Sequence, residues 1–265
     1  MPRFRLLIEY AGTRYSGWQI QKNARTVQGE IDRAIREISR RQDFELYGSG
    51  RTDAGVHALA QVAHLELYTS LAPEPLRRQI NDELPADIHI RSIAKVPHRF
   101  HARHDAVSRS YLYQISRRRT AFAKPFVWWI REPLNVTAMR EASAAFAGMR
   151  DFASFTDDDP RHKSTRVLVD GIEIVEIDAL ILIRIRGSHF LWKMVRRIVG
   201  VLAAIGCGEL DVPDAGAFLA DESPKPGVTP AALTAPAAGL FLEGVYYEGE
   251  KGPGPVQPVT PIPCP

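Results

Sequence analysis

The sequence predicts an α+β protein made of two β-α-β-β-α-β halves. Three observations carry that expectation. Short alternating or apolar runs with the spacing of strands recur along the chain. Amphipathic helical repeats separate them in the order strand, helix, strand, strand, helix, strand. That order then recurs in pattern, though not in sequence. Such a chain packs as a mixed, largely antiparallel sheet with helices against it, the ferredoxin-like arrangement.

In the first half, residues 1–104, residues 4–10 form a strand rich in Leu and Ile, turned by Ala11-Gly12-Thr13. Gly17-Trp18-Gln19 reads as an exposed aromatic segment beside Arg14, Lys22 and Arg25. Thr26 is placed to cap a helix whose apolar positions Val27, Ile31, Ala34, Ile35 and Ile38 follow a helical period. Its other face carries Arg33, Arg36, Arg40 and Arg41, a pattern that is ordinarily just solvated. Residues 44–47 and 60–67 read as strands, 73–84 as a helix with Pro75 in its first turn, and 88–96 as a strand.

The second half, residues 105–248, opens with a strand at 110–115 that sets Tyr111 and Tyr113 on one face. Arg117, Arg118 and Arg119, then residues 126–130, form a basic and then aromatic excursion. Asn135-Val136-Thr137 caps a helix over about 138–147, which Gly148 stops. A hairpin at 166–177 and 180–186 turns at Asp178-Ala179. Helices at 190–205 and 211–220 and a strand at 240–247 complete the half. Residues 249–265 hold six prolines and are expected to be extended or disordered.

The 265 residues carry a net charge of +3, compatible with nucleic acid but not evidence for it. Two cysteines, Cys207 and Cys264, offer no disulfide framework and no paired zinc motif. The N-terminus reads directly as a strand, with no apolar leader. The longest apolar run, near 198–205, is far short of the roughly 20 residues that span a bilayer. A cytoplasmic protein without membrane contact is expected.

The chemistry concentrates at Tyr47-Gly48-Ser49-Gly50-Arg51-Thr52-Asp53-Ala54-Gly55-Val56-His57, a glycine-permitted connection between two strands. It holds Arg51 and Asp53 two residues apart, in a shape expected to depend on Gly48, Gly50 and Gly55. The dinucleotide fingerprint fails because position 53 is Asp and a strand follows. The phosphate-loop pattern fails because Val56-His57 replaces its Lys-Ser/Thr pair. His98, His101 and His104 alternate faces in an extended segment and lack a completing ligand, so no metal is expected there. Asp157, Asp158 and Asp159 could hold a hard cation, but a solvated acidic turn is the favoured reading.

Gly50-Arg51-Thr52-Asp53-Ala54-Gly55-Val56-His57 resembles the signature of the tRNA pseudouridine synthase A family. So do Phe100-His101-Ala102-Arg103, Asp151-Phe152-Ala153-Ser154-Phe155, and the stretch from Phe190 through Arg196 to Gly200. The resemblance covers residues 4–248. It implies isomerisation of uridine to pseudouridine at positions 38, 39 and 40 of the tRNA anticodon stem-loop, without cofactor or metal. It implies Asp53 as nucleophile, Tyr111 lining the uridine pocket, Arg196 pairing with Asp53, and Leu240 packing in the active site. Phe100, His101, Ala102 and Arg103 would contact RNA in a central cleft, and a homodimer would share one tRNA. Ala238 stands where the family commonly has Glu, which puts one loop contact in doubt.

The chemistry suits these residues. Breaking an N-glycosidic bond needs a carboxylate to trap the sugar or a nucleophile to add to the uracil, and Asp53 can do either. A uridine in a paired or stacked arm must first be flipped out, at about a few kcal/mol. Arg51 is placed to fill the vacated space or to hold a phosphate. Two rivals remain: a non-catalytic RNA-binding or RNA-folding module, and a hydrolase that releases free base.

Overall fold

Strand β1 (Arg3–Tyr10) alternates half-buried and buried side chains, with Phe4, Leu6, Ile8 and Tyr10 inside. The alternation follows from the two-residue period of an extended chain. The computed structural model describes residues 1–159, 161, 162 and 164–264. It divides into two units, Met1–Val107 with Phe241–Gly252, and Ser108–Leu240 with Pro253–Pro265.

The first unit runs β1, α1 (Val27–Ser39), β2 (Glu45–Gly48), β3 (His57–Glu66), α2 (Pro73–Glu83) and β4 (Ile88–Val96), in the expected order. Strand β1 is antiparallel to both β3 and β4, and β2 is antiparallel to β3. The hydroxyl oxygen of Thr26 accepts the Gly29 N–H at 3.2 Å and so caps α1. Val27, Ile31, Ala34 and Ile35 bury its apolar stripe. The basic face of that helix is paired locally. Arg33 meets Glu30, Arg36 meets Asp32, Arg40 meets Glu37, and Arg41 meets Asp43.

The second unit holds β5 (Ala106–Ser116), β6 (Trp128–Trp129), α3 (Val136–Ser143), β7 (Gly148–Asp151), β8 (Arg166–Ile177), β9 (Leu180–Gly187), α4 (Met194–Gly206) and α5 (Asp214–Leu219). Its sheet order is β5-β9-β8-β7, all antiparallel, with β6 parallel to β5. Strand β9 is buried at every position but Arg186. The β8–β9 hairpin turns where expected, with Asp178 at φ 52°.

Three sequence readings need correction. Helix α4 begins at Met194 rather than 190, because Lys193 takes the left-handed conformation (φ 62°) and interrupts the helical backbone. Helix α3 begins two residues early, since Asn135 is itself the cap and accepts the Ala138 N–H at 3.1 Å. The last strand, β10 (Leu240–Tyr247), pairs parallel with β3, and Phe241–Gly252 belongs to the first unit. The proline tail is extended but not disordered. Val256 and Ile262 are buried in a cluster with Leu112, Ala123, Val127 and Leu180. The Ala179 N–H donates to the Ile262 carbonyl at 3.1 Å, and the Val259 N–H to Gln114 Oε1 at 2.7 Å. Proline supplies stiffness there, and interspersed apolar side chains supply the anchor.

Among the described residues, no helix is long and apolar enough to cross a membrane.

Candidate active site and RNA-contact residues

The connection between β2 and β3 is fixed from several sides. At its start, the Ser49 N–H donates to the Val62 carbonyl at 2.7 Å, and Gln61 reaches the Ser49 hydroxyl at 2.7 Å and the Gly50 carbonyl at 3.1 Å. In its middle, the Thr52 and Tyr10 hydroxyls share a buried bond of 2.8 Å. The Thr52 carbonyl accepts the Trp18 N–H at 3.1 Å. At its end, Gly55 adopts φ 79° and its N–H donates to the Tyr15 carbonyl at 3.2 Å. The Asp53 carbonyl accepts the Val56 N–H at 3.2 Å, closing a tight turn. Asp53 is left half-buried and Arg51 exposed on a backbone with little freedom.

Gly17-Trp18-Gln19, expected to be an exposed aromatic segment, instead continues a wall of this loop built from residues 12–18. Trp18 is 1% exposed and packs against Gly48, where an added Cβ would meet the indole Nε1 at 2.5 Å. Gly17, at φ 91°, leaves no room for a Cβ beside the Thr52 carbonyl, 2.5 Å away. Gly12 lies under the Val56 carbonyl, and its N–H donates to His57 Nδ1 at 3.0 Å. The loop's shape therefore depends on Gly12, Gly17, Gly48 and Gly55. Gly50 faces open space and is not sterically required by the chain itself. A contact signal in Gly12-x4-Gly17-Trp18 was present in the sequence, but only the fold shows which backbone those glycines approach.

Beside the loop lies a cavity of about 40 Å³, lined by Trp18, Gln19, Gln28, Tyr47, Gly48, Gly50, Arg51 and Arg103. It brings Arg51 together with Arg103. The rest of the Phe100–Arg103 segment holds the fold. The Phe100 carbonyl accepts from Arg3 at 2.5 Å, and its ring lies 5.1 Å from Tyr247. Ala102 is buried, with its N–H on His64 Nδ1 at 3.2 Å and its carbonyl on the Tyr247 hydroxyl at 2.7 Å. His101 Nδ1 accepts the N–H groups of Arg103 and His104, both at 3.2 Å. That acceptor role requires a neutral Nδ1, and burial holds the His101 pKa below its ordinary value, helped by His104 and Arg3. Burial likewise pushes His64 down to about 4, with Arg3 and His101 adding to it. Among the described residues, no group of three or more His, Cys, Asp or Glu side chains could hold a metal ion.

In the second unit, Tyr111 on β5 is half-buried with its ring edge-on to Phe190, centroids 5.1 Å apart. Tyr113 is buried, and its hydroxyl donates to the Pro236 carbonyl at 2.7 Å; burial raises its pKa. Arg196 on α4 is tied to the strand approach at Ala235, its Nε donating to that carbonyl at 2.7 Å. The Ala235 N–H returns to the Arg196 carbonyl at 3.0 Å. Leu240 is buried at the start of β10. The aspartate loop is a clamp on the entry to α4. Asp157 bridges Lys193, at 2.8 Å, and the buried Arg197. Those two cations hold its carboxyl below the usual range. Asp158 accepts the Trp192 N–H at 3.2 Å, and Asp159 pairs with Arg161 at 2.7 Å.

The family model described as tRNA pseudouridine synthase matches residues 6–105 and 142–248. The chain is 36% identical over 250 residues to tRNA pseudouridine synthase A of Pseudothermotoga lettingae, covering 93% of this chain and 100% of that protein. It is 39% identical over 256 residues to tRNA pseudouridine synthase A of Ruminiclostridium cellulolyticum, with 93% and 100% covered. It is 39% identical over 251 residues to tRNA pseudouridine synthase A of Rhodopseudomonas palustris, with 94% and 100% covered.

Proposed function

The chain belongs to the tRNA pseudouridine synthase family, isomerases acting on tRNA, and from that premise we propose that it acts on uridines 38, 39 and 40 of the anticodon stem-loop with Asp53 as nucleophile. The observation that carries this reading is the Asp53 loop. A half-buried carboxylate sits on a backbone pinned at Ser49, Thr52 and Gly55. Preorganisation of that kind is what a nucleophile needs, since a reacting group displaced by an ångström loses much of its rate.

The target uridine is flipped out of its stack, at a cost of about a few kcal/mol. Asp53 attacks the sugar C1′ or adds to the uracil, and either route breaks the N1–C1′ bond. The base turns and C5 bonds to C1′, displacing the Asp53 carboxylate where it holds the sugar; where it holds the uracil instead, elimination releases it; C5 gives up its proton and N1 gains one. The net change is an isomerisation, so no cofactor enters the balance. Tyr111, Arg51, Arg196 and Leu240 bind the uridine and its flanking phosphate. Arg103, held in place by Phe100, His101 and Ala102, binds the RNA backbone. The enzyme works in the cytoplasm as a homodimer.

The test is incubation of the purified protein with unmodified tRNA, followed by carbodiimide mapping and nucleoside chromatography. Pseudouridine at positions 38–40 supports the reading. Pseudouridine elsewhere overturns the site assignment. Free uracil would identify a hydrolase, and binding without product a non-catalytic module.

A further inference from the structure

Residues 117–131 carry five basic side chains and no carboxylate. Two of the five serve the fold. Arg117 reaches Glu176 at 2.8 Å, and Arg118 donates to the Pro263 carbonyl at 3.0 Å. Arg119, Lys124 and Arg131 are exposed. The Arg119 guanidinium lies 5.8 Å from the centroid of Trp129, which is itself 41% exposed. Phe122, between Arg119 and Lys124, is 99% exposed.

That exposure does not come from a loose loop. Ala123, the next residue, is 3% exposed in the cluster built with Val127, Val256 and Ile262. Gln114 holds the Phe126 carbonyl at 3.0 Å with its amide, while its oxygen takes the Val259 N–H. The excursion and the proline tail thus brace one another and present one ring outward. Both segments lie outside the stretches that the family model matches.

We propose that this surface is an additional docking site for the tRNA substrate, with Arg119, Lys124 and Arg131 on phosphates and Phe122 stacked on a base. It rests on the tRNA reading above and adds a contact to it. A protein partner fits worse, because interface cores are depleted of charge, and here Arg119 lies over the exposed Trp129 ring while Arg119 and Lys124 flank Phe122 in sequence. Cationic residues around isolated aromatic faces are the composition of a nucleic-acid stacking platform.

The test measures affinity for a full-length tRNA transcript, and single-site turnover, in the parent protein, Phe122→Ala, Phe122→Tyr and the double variant Arg119→Gln with Lys124→Gln. Losing one stacked base should weaken binding roughly fivefold or more in Phe122→Ala, while Phe122→Tyr, which keeps the ring, should bind as the parent does. The double variant should flatten the dependence of log affinity on log salt by about two phosphate contacts. In both weakened variants KM should rise with kcat unchanged. An active parent whose variants bind tRNA equally well overturns this proposal alone. Variants that change the sedimentation coefficient but not RNA affinity overturn it in favour of a protein interface. A parent that neither binds tRNA nor forms pseudouridine overturns the functional reading, and this proposal falls with it.

Discussion

The three glycines nearest Asp53 in sequence are not equivalent in space. Gly55 has a positive φ, and Gly48 lies against the Trp18 ring, whereas Gly50 has nothing near it. Gly17, distant in sequence, meets the Thr52 carbonyl and also takes a positive φ. Gly17→Ala should therefore cost about 1–3 kcal/mol and lower turnover by shifting the loop. Gly50→Ala should leave the melting temperature unchanged. Equal melting temperatures for the two variants, measured by calorimetry, would refute this account of the loop. Tyr111 makes a second residue-scale case. Its ring already rests on Phe190 on one side. Tyr111→Phe keeps that ring and should bind tRNA normally but turn over slowly, if the hydroxyl helps remove the C5 proton. Tyr111→Ala should also lose affinity, by about 1–3 kcal/mol of stacking. Single-turnover kinetics with 5-tritiated uridine separates the steps, and a Tyr111→Phe protein matching the parent at every step would make the residue a platform only. At this scale the sequence showed the carboxylate plainly. It hid the wall around it, because a Trp among polar neighbours looks exposed until its partner glycine is known.

At the scale of elements, periodicity located the strands and helices well, and caps explain where it slipped. Asn135 was read as part of a three-residue cap, yet one side chain was enough. The start of α4 looked helical because Leu191, Met194 and Val195 keep the period, but Asp157 and Asp158 hold Trp192 and Lys193 in a turn. Those are long-range contacts that a local pattern does not contain. The Phe100–Arg103 segment shows the same limit. Its sequence gives no reason to expect that His64 and His101 hold it as neutral hydrogen-bond acceptors. That arrangement has a pH dependence. His64 stays neutral in the fold down to about 4, while the unfolded chain takes up a proton near 6.5. Stability is therefore complete above pH 6.5 and declines as pH falls toward 4, by up to about 3 kcal/mol for this group. Denaturant midpoints at pH 7.5 and 4.5 should show a smaller loss in His64→Gln, whose amide oxygen can still accept the Ala102 N–H. Parallel losses in the two proteins would remove His64 from the account.

At the scale of the molecule, the partner of the last strand lies far from it in the chain. The parallel pairing of β10 with β3 places Phe241 beside His57 in the first unit, rings 4.8 Å apart. Strand partners are chosen by shape and burial over the whole chain, and neither is visible in a local window. The tail shows a related limit. Its proline content signals extension, but Val256 and Ile262 decide whether extension ends in packing. Family membership rests on the matched stretches, which include the Asp53 loop. The central proposal is that this loop presents the Asp53 carboxylate as the nucleophile. Its most direct test is pseudouridine formation by Asp53→Asn, measured on unmodified tRNA beside its tRNA affinity. The substitution keeps size and hydrogen-bonding capacity and removes the proposed nucleophile. The account predicts turnover below detection with affinity within about threefold of the parent, whereas turnover within about tenfold of the parent would contradict it.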